Sequence, residues 1–295
     1  MYGELVRVWT EDALQLQGLY CGPGGNSGLP AVLHIHGASS NFYRSQFLDR
    51  LADELTALGF PFLTGNTRGH DIINNTYTRD AKASRHKGVA FEEFEDCLLD
   101  ITAWLQFLED RGSAGMVLLG HSFGSHKVAF YQAETSDNRV KGLILMSPAD
   151  QGFWAQALGA QMEHTLAWAK EKVASGQADA LLDAGLAPYP MSAGTIHSLF
   201  VEGKPDIFKF GRPEEQWEVV SALSCPILAM MGTVAEFIKP TPREALDLLR
   251  AKAMASSRCD TVVLQGAPHN YRGFEPQVTQ AISGWLGEIF GGAGA

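Results

Sequence analysis

Short stretches of this chain are apolar at almost every position: Ala31-Val32-Leu33-His34-Ile35, Phe60-Pro61-Phe62-Leu63, Val117-Leu118-Leu119, Leu143-Ile144-Leu145-Met146, Ile227-Leu228-Ala229-Met230-Met231 and Thr261-Val262-Val263-Leu264. Such runs are too short for globular helices and suit strands covered on both faces, as in a parallel sheet. Between them, apolar positions recur at helical spacing. They predict helices over 46–58, over 91–111 (Phe94, Leu98, Ile101, Leu105, Leu108), after 123 (Val128, Phe130, Tyr131), and over 214–223, 244–255 and 276–290. The start differs: 5–9 and 14–20 alternate polar and apolar, predicting an antiparallel hairpin that turns at Glu11-Asp12. Strand and helix in repeated alternation predict an α/β fold with a mostly parallel central sheet and flanking helices. The polar segment 72–88 is expected to cross the surface without regular structure.

The rhythm lapses over 150–212, which has helical patches at 158–174 and 178–182 broken by Pro188, Pro190 and Pro205. This segment is expected to be a mainly helical cap inserted between two late strands, leaving 1–149 and 213–295 as the core. Its large apolar residues, among them Phe153, Trp154, Trp168, Tyr189, Met191, Phe200, Phe208 and Phe210, would roof the crevice at the carboxyl ends of the strands, where ligands bind in such sheets. Taken one at a time, most of them are expected to pack the cap's own small core. His164 and His197 are expected to be structural, and the glycine-rich end 291–295 to fray.

Charge and cysteine usage narrow the function classes. At 295 residues the chain suits one core with an insertion, and 45% hydrophobic against 19% charged residues is the balance of a packed globular protein. A net charge of −10 disfavours nucleic acid as a partner. The cluster Arg85-His86-Lys87 is too short to change that and is expected in a solvated loop. No apolar run reaches the length of roughly eighteen residues that could span a bilayer, and the start lacks the pattern of a secretory signal. Cys21, Cys97, Cys225 and Cys259 are scattered, with neither disulfide nor metal spacing, so reduced thiols in a cytoplasmic protein without a metal are expected. The stretch Gly22-Pro23-Gly24-Gly25-Asn26-Ser27-Gly28 is expected to be a flexible loop, because a phosphate cradle needs a helix directly behind it. The oligomeric state is open, a homodimer included.

The candidate chemistry centres on Gly120-His121-Ser122-Phe123-Gly124, which sits between a predicted strand and a predicted helix. In a nucleophile elbow the serine occupies the tip of this turn in strained geometry, and small neighbours let strand and helix pass closely. Ser122 is therefore the candidate nucleophile. His269 follows the last strand in a turn rich in Gly and Pro and is the candidate base. The loop after Ala31-Val32-Leu33-His34-Ile35 could aim the Ala38 N–H at a developing oxyanion, paired with the N–H of Phe123. His36, at that strand's end, is expected to be a hydrogen-bonded structural histidine. Gly37, His121, Trp154 and Phe208 are the candidate substrate contacts.

In order, His36-Gly37, Asn66-Thr67-Arg68-Gly69-His70, the Ser122 motif, Gly232-Thr233-Val234-Ala235-Glu236 and Gly266-Ala267-Pro268-His269 resemble the motifs of the α/β-hydrolase superfamily, serine-esterase type, over nearly the whole chain. Asn41-Phe42-Tyr43, Phe94-Glu95-Asp96-Cys97 and Met191-Ser192-Ala193 resemble a group that includes fungal siderophore esterases. The resemblance implies hydrolysis of an ester, thioester or amide of a small to medium acyl substrate through an acyl-enzyme on Ser122, with no cofactor. Serine at this position argues against dehalogenase or epoxide-hydrolase chemistry, which the family runs with aspartate there. The family's acid position falls on Ala235, which leaves three readings: an acid replaced by alanine, a neighbouring carboxylate in its stead, or a protein that has lost hydrolysis. Extended backbone would turn Glu236 away from position 235, so Asp150 is the favoured substitute. An acyltransferase, cyclase or lyase, and a catalytically silent binding protein, remain the alternatives.

Overall fold

The computed structural model describes residues 1–22, 27–79, 84–182 and 189–291, without the side chains of Trp154, Gln156, Ala157 and Leu158. Its strands are β1 (Glu4–Trp9), β2 (Gln15–Cys21), β3 (Ala31–Ile35), β4 (Phe62–Gly65), β5 (Asn74–Tyr77), β6 (Ser84–Lys87), β7 (Met116–His121), β8 (Val140–Met146), β9 (Leu181–Leu182), β10 (Met191–Ser192), β11 (Ile227–Val234) and β12 (Cys259–Pro268). Its helices are α1 (Phe47–Ala57), α2 (Cys97–Asp110), α3 (Phe123–Thr135), α4 (Gln151–Ala174), α5 (Ala193–Ile196), α6 (Glu218–Ala222), α7 (Pro242–Lys252) and α8 (Glu275–Phe290).

Eight strands form one sheet in the order β1-β2-β4-β3-β7-β8-β11-β12. The hairpin β1-β2 is antiparallel and joins β4 antiparallel, and every pairing from β4 to β12 is parallel. The reason is in the side chains. β3 and β7 are buried at every position, as strands with helices on both faces must be. One face is sealed by α1 and α8 through Phe47, Leu51, Leu55, Val278, Ile282 and Trp285. The other is sealed by α2, α3 and α7 through Ile101, Trp104, Leu105, Val128, Phe130 and Leu246. This is the mostly parallel sheet with flanking helices that the hydropathy pattern predicts.

Between β8 and β11 the chain leaves the sheet for α4, the antiparallel pair β9-β10, α5 and a π-helical turn at His197–Glu202. Several elements there and elsewhere differ from expectation. The helical patch expected at 178–182 is instead a turn leading into β9, because Gly176 (φ 74) ends α4 and the Ala178 and Ala180 carbonyls accept from Gly194 and Ala193. α4 begins earlier than expected and kinks at Gly159. Residues 72–88 carry a hairpin, β5-β6, whose polar residues hide it from any hydropathy pattern. α2 starts at Cys97, later than expected, because Glu92 and Glu93 are extended and Glu92 turns inward to a buried ion pair with Lys127. The glycine-rich residues 23–26, Pro188 and the last four residues lie outside the described part.

Candidate active site

The elbow forms where β7 ends. Ser122 has φ 54 and ψ −122, a conformation an L-residue holds only when its surroundings impose it. Here Ser122 N donates to Met146 O at 2.8 Å, and the Ser125 hydroxyl ties the Gly120 carbonyl at 2.8 Å. A Cβ at Gly120 would overlap the Gly124 backbone, and one at Gly124 would overlap the Ile35 carbonyl. Only glycine at both positions lets α3 leave β7 this closely to β3.

His269 arrives from the end of β12, with its backbone N–H on Val234 O at 3.1 Å. Its Nε2 lies 2.9 Å from Ser122 Oγ, and its Nδ1 lies 2.7 Å from Glu236 Oε2. Since a carboxylate only accepts, Nδ1 carries the proton and the Nε2 lone pair faces the serine hydroxyl. The Glu236 carboxylate is 4% exposed, and its other oxygen accepts from Gly232 N at 3.0 Å and from the Ser147 hydroxyl at 2.8 Å. His121, one residue before the serine, donates from Nε2 to the His269 carbonyl at 2.8 Å and so ties the two loops together. Burial, and then the neighbouring His269, push the pKa of His121 down to about 3, which keeps this strut neutral. The Phe237 ring meets the His269 ring edge-on at 4.7 Å.

Neither carboxylate position favoured from the sequence meets the histidine. Ala235 is exposed and has φ 59, so β11 stops at Val234 and the alternation of an extended chain fails there. That left-handed residue is what swings Glu236 inward. Asp150 is buried but committed elsewhere: it accepts from Gly211 N at 2.7 Å and Phe153 N at 3.3 Å, capping α4, and pairs with Arg212. The one signal in the sequence was Glu236 itself, a carboxylate in the same loop one residue beyond the expected position.

Among the described residues, neither the Ala38 nor the Phe123 N–H has a protein acceptor, and Phe123 opens α3, whose first-turn N–H groups have no intrahelical partner. The Gly37–Ala38 peptide is held from behind. His36 Nε2 accepts from Thr67 N at 3.0 Å, so its proton sits on Nδ1, which donates to Gly37 O at 2.8 Å. Burial, and then Lys127, keep the His36 pKa well below the usual histidine range. A cleft of about 280 Å³ opens beside Ser122 and His269, lined also by Gly37, Ala38 and His121. Phe208 is not part of it. That ring is fully buried, stacked on Phe210 at 6.0 Å and edge-on to His126 of α3 at 4.9 Å, because the inserted segment packs onto the main core and forms no separate one. The side chain of Trp154 lies outside the described residues. No group of three His, Cys, Asp or Glu side chains able to hold a metal occurs among the described residues, and no described helix is long and apolar enough to cross a membrane.

Residues 29–183 match the family described as Serine aminopeptidase, S33. No curated protein sequence matches the chain. Among solved structures, the chain is similar to the ferulic acid complex of Est1E from Butyrivibrio proteoclasticus (17% identity, 96% of this chain and 98% of that one, TM-score 0.67). It is likewise similar to DcsB in complex with its substrate analogue (15%, 99% and 100%, TM-score 0.71). A third is a soluble variant of monoglyceride lipase from Saccharomyces cerevisiae (15%, 98% and 96%, TM-score 0.65). At these identities the likeness is one of fold.

Proposed function

Because the chain belongs to the serine aminopeptidase S33 family of α/β-hydrolases, we propose that it is a serine hydrolase cleaving a carboxylic ester of a small to medium acyl substrate. One observation carries the reading: the unbroken hydrogen-bond chain from Ser122 through His269 to Glu236. Ser122 Oγ attacks the carbonyl carbon as its proton passes to His269 Nε2, and the Glu236 carboxylate stabilises the imidazolium that forms. The tetrahedral oxygen takes the N–H groups of Ala38 and Phe123, each worth about 3 kcal/mol in such sites. His269 then protonates the leaving alcohol, and water repeats the sequence on the acyl-enzyme. No step needs a cofactor.

The segment 150–212 acts in this reading as the cap over the crevice, with 1–149 and 213–295 as the core. The Glu236 carboxylate beside His269 supports hydrolysis over a catalytically silent binding protein. Fluorophosphonate labelling tests the proposal: Ser122 should be modified and short para-nitrophenyl esters hydrolysed, both abolished in Ser122→Ala. A chain that neither labels nor turns over any ester, while folded, would refute it.

A further inference from the structure

The wall of the cleft beside Ser122 is cationic although the protein carries a net charge of −10. Arg44 and Arg272 line it, and no acidic side chain does. Arg44 comes from the loop after β3 and donates to the Ser39 carbonyl at 3.2 Å. Arg272 follows His269 by three positions, and its bond on this side is a backbone one, from its N–H to Asn270 Oδ1 at 3.2 Å. Among the described residues neither guanidinium has a carboxylate partner, whereas Arg212 is held by Asp150, Asp206 and Glu215. A further positive contribution is independent of side chains. Ser45 and Gln46 of the lining lead directly into α1, whose eleven residues start without a side-chain cap, so the positive end of that helix, offset in part by Asp49 in its first turn, borders the same space.

From these features we infer that the cleft selects an ester bearing a carboxylate a few bonds from the scissile carbonyl. The inference rests on the ester-hydrolase reading and names its substrate class. A guanidinium matches a carboxylate through two parallel hydrogen bonds, and the loops 37–46 and 269–272 each bring one such fork to the cleft that Ser122 also lines, where either can hold the anion. The overall negative charge repels anions at long range, so the local arginines concentrate the anionic substrate only at the mouth of the cleft. Because both arginines are exposed, the effect is screened by salt.

Two ester pairs test this, each matched in shape and differing in charge. On the alcohol side the pair is meta-carboxyphenyl acetate and meta-methylphenyl acetate; on the acyl side it is the para-nitrophenyl half-ester of adipate and para-nitrophenyl heptanoate. In at least one pair kcat/KM should favour the charged ester by about tenfold or more, the scale of one charge-assisted contact. That ratio should fall to near one in Arg44→Gln/Arg272→Gln, and shrink in about 1 M NaCl. If both pairs are turned over without preference for the charged member, or if the preference survives the double substitution, the inference is overturned and the hydrolase reading stands. If none of the four esters is cleaved and Ser122 takes no fluorophosphonate, the hydrolase reading itself is lost.

Discussion

Replacing Glu236 by glutamine isolates the contact that sequence pattern ranked below Asp150. Glutamine keeps the shape, and its amide oxygen can still accept from Gly232 N and the Ser147 hydroxyl. Its amide nitrogen then faces His269 Nδ1 where the carboxylate oxygen stood at 2.7 Å. Two donors cannot face each other, so Nδ1 must lose its proton and become the acceptor. The proton moves to Nε2, which points at Ser122 Oγ 2.9 Å away, and a protonated Nε2 cannot receive the serine proton. The positive charge that forms on the ring also loses its partner. The corresponding loss in serine proteases lowers turnover about ten-thousandfold, or about 5 kcal/mol of transition-state stabilisation. Steady-state hydrolysis of a para-nitrophenyl ester should show this fall in kcat for Glu236→Gln with an unchanged thermal midpoint. Asp150→Asn should stay within a fewfold of the parent, since Asp150 serves Gly211 and Arg212. Ala235→Asp should bring no gain, because that position faces solvent in a left-handed turn. Retention of more than about a tenth of the parent turnover in Glu236→Gln would refute the assignment of the acid.

The remaining expectations concern buried histidines. His36→Ala removes the donor to Gly37 O and the acceptor for Thr67 N, freeing the Gly37–Ala38 peptide to turn; kcat should fall about ten- to a hundredfold while KM changes little, and a parallel loss in both would mean that His36 does not position the oxyanion donor. Acid stability follows from burial: His34 and His121 are pushed down to about 3, His126 to about 4, and His36 well below the usual range. Their unfolded pKa is about 6.5, so below that pH the unfolded chain binds protons the folded one refuses, and stability is complete above pH ~6.5 and lost as pH falls. The four groups act in the same direction, and urea midpoints that stay level from pH 7 to pH 5 would contradict it.

Local spacing determined a good deal. The apolar runs of β3, β7, β8 and β11, and the helical periods of α1 and α2, record burial on two faces or on one stripe, and burial is what short-range pattern encodes. Gly120, Ser122 and Gly124 were legible for the same reason, since a tight strand-to-helix turn admits few residues, and so was a histidine just after the last strand. The polar hairpin β5-β6 and the strand at 181–182 left no such pattern, being held by backbone pairing with distant partners. The acid that meets His269 depended on more than pattern. Ala235 takes its left-handed turn because Gly232 N and the Ser147 hydroxyl, the latter 89 residues earlier, hold the carboxylate that follows it. A side chain's direction after an irregular residue is set by contacts remote in sequence, and the meeting of Arg44 with Arg272 on one cleft is of the same kind. Only the assembled sheet brings such groups within hydrogen-bonding reach, because the interactions that align them exist only once its strands are paired.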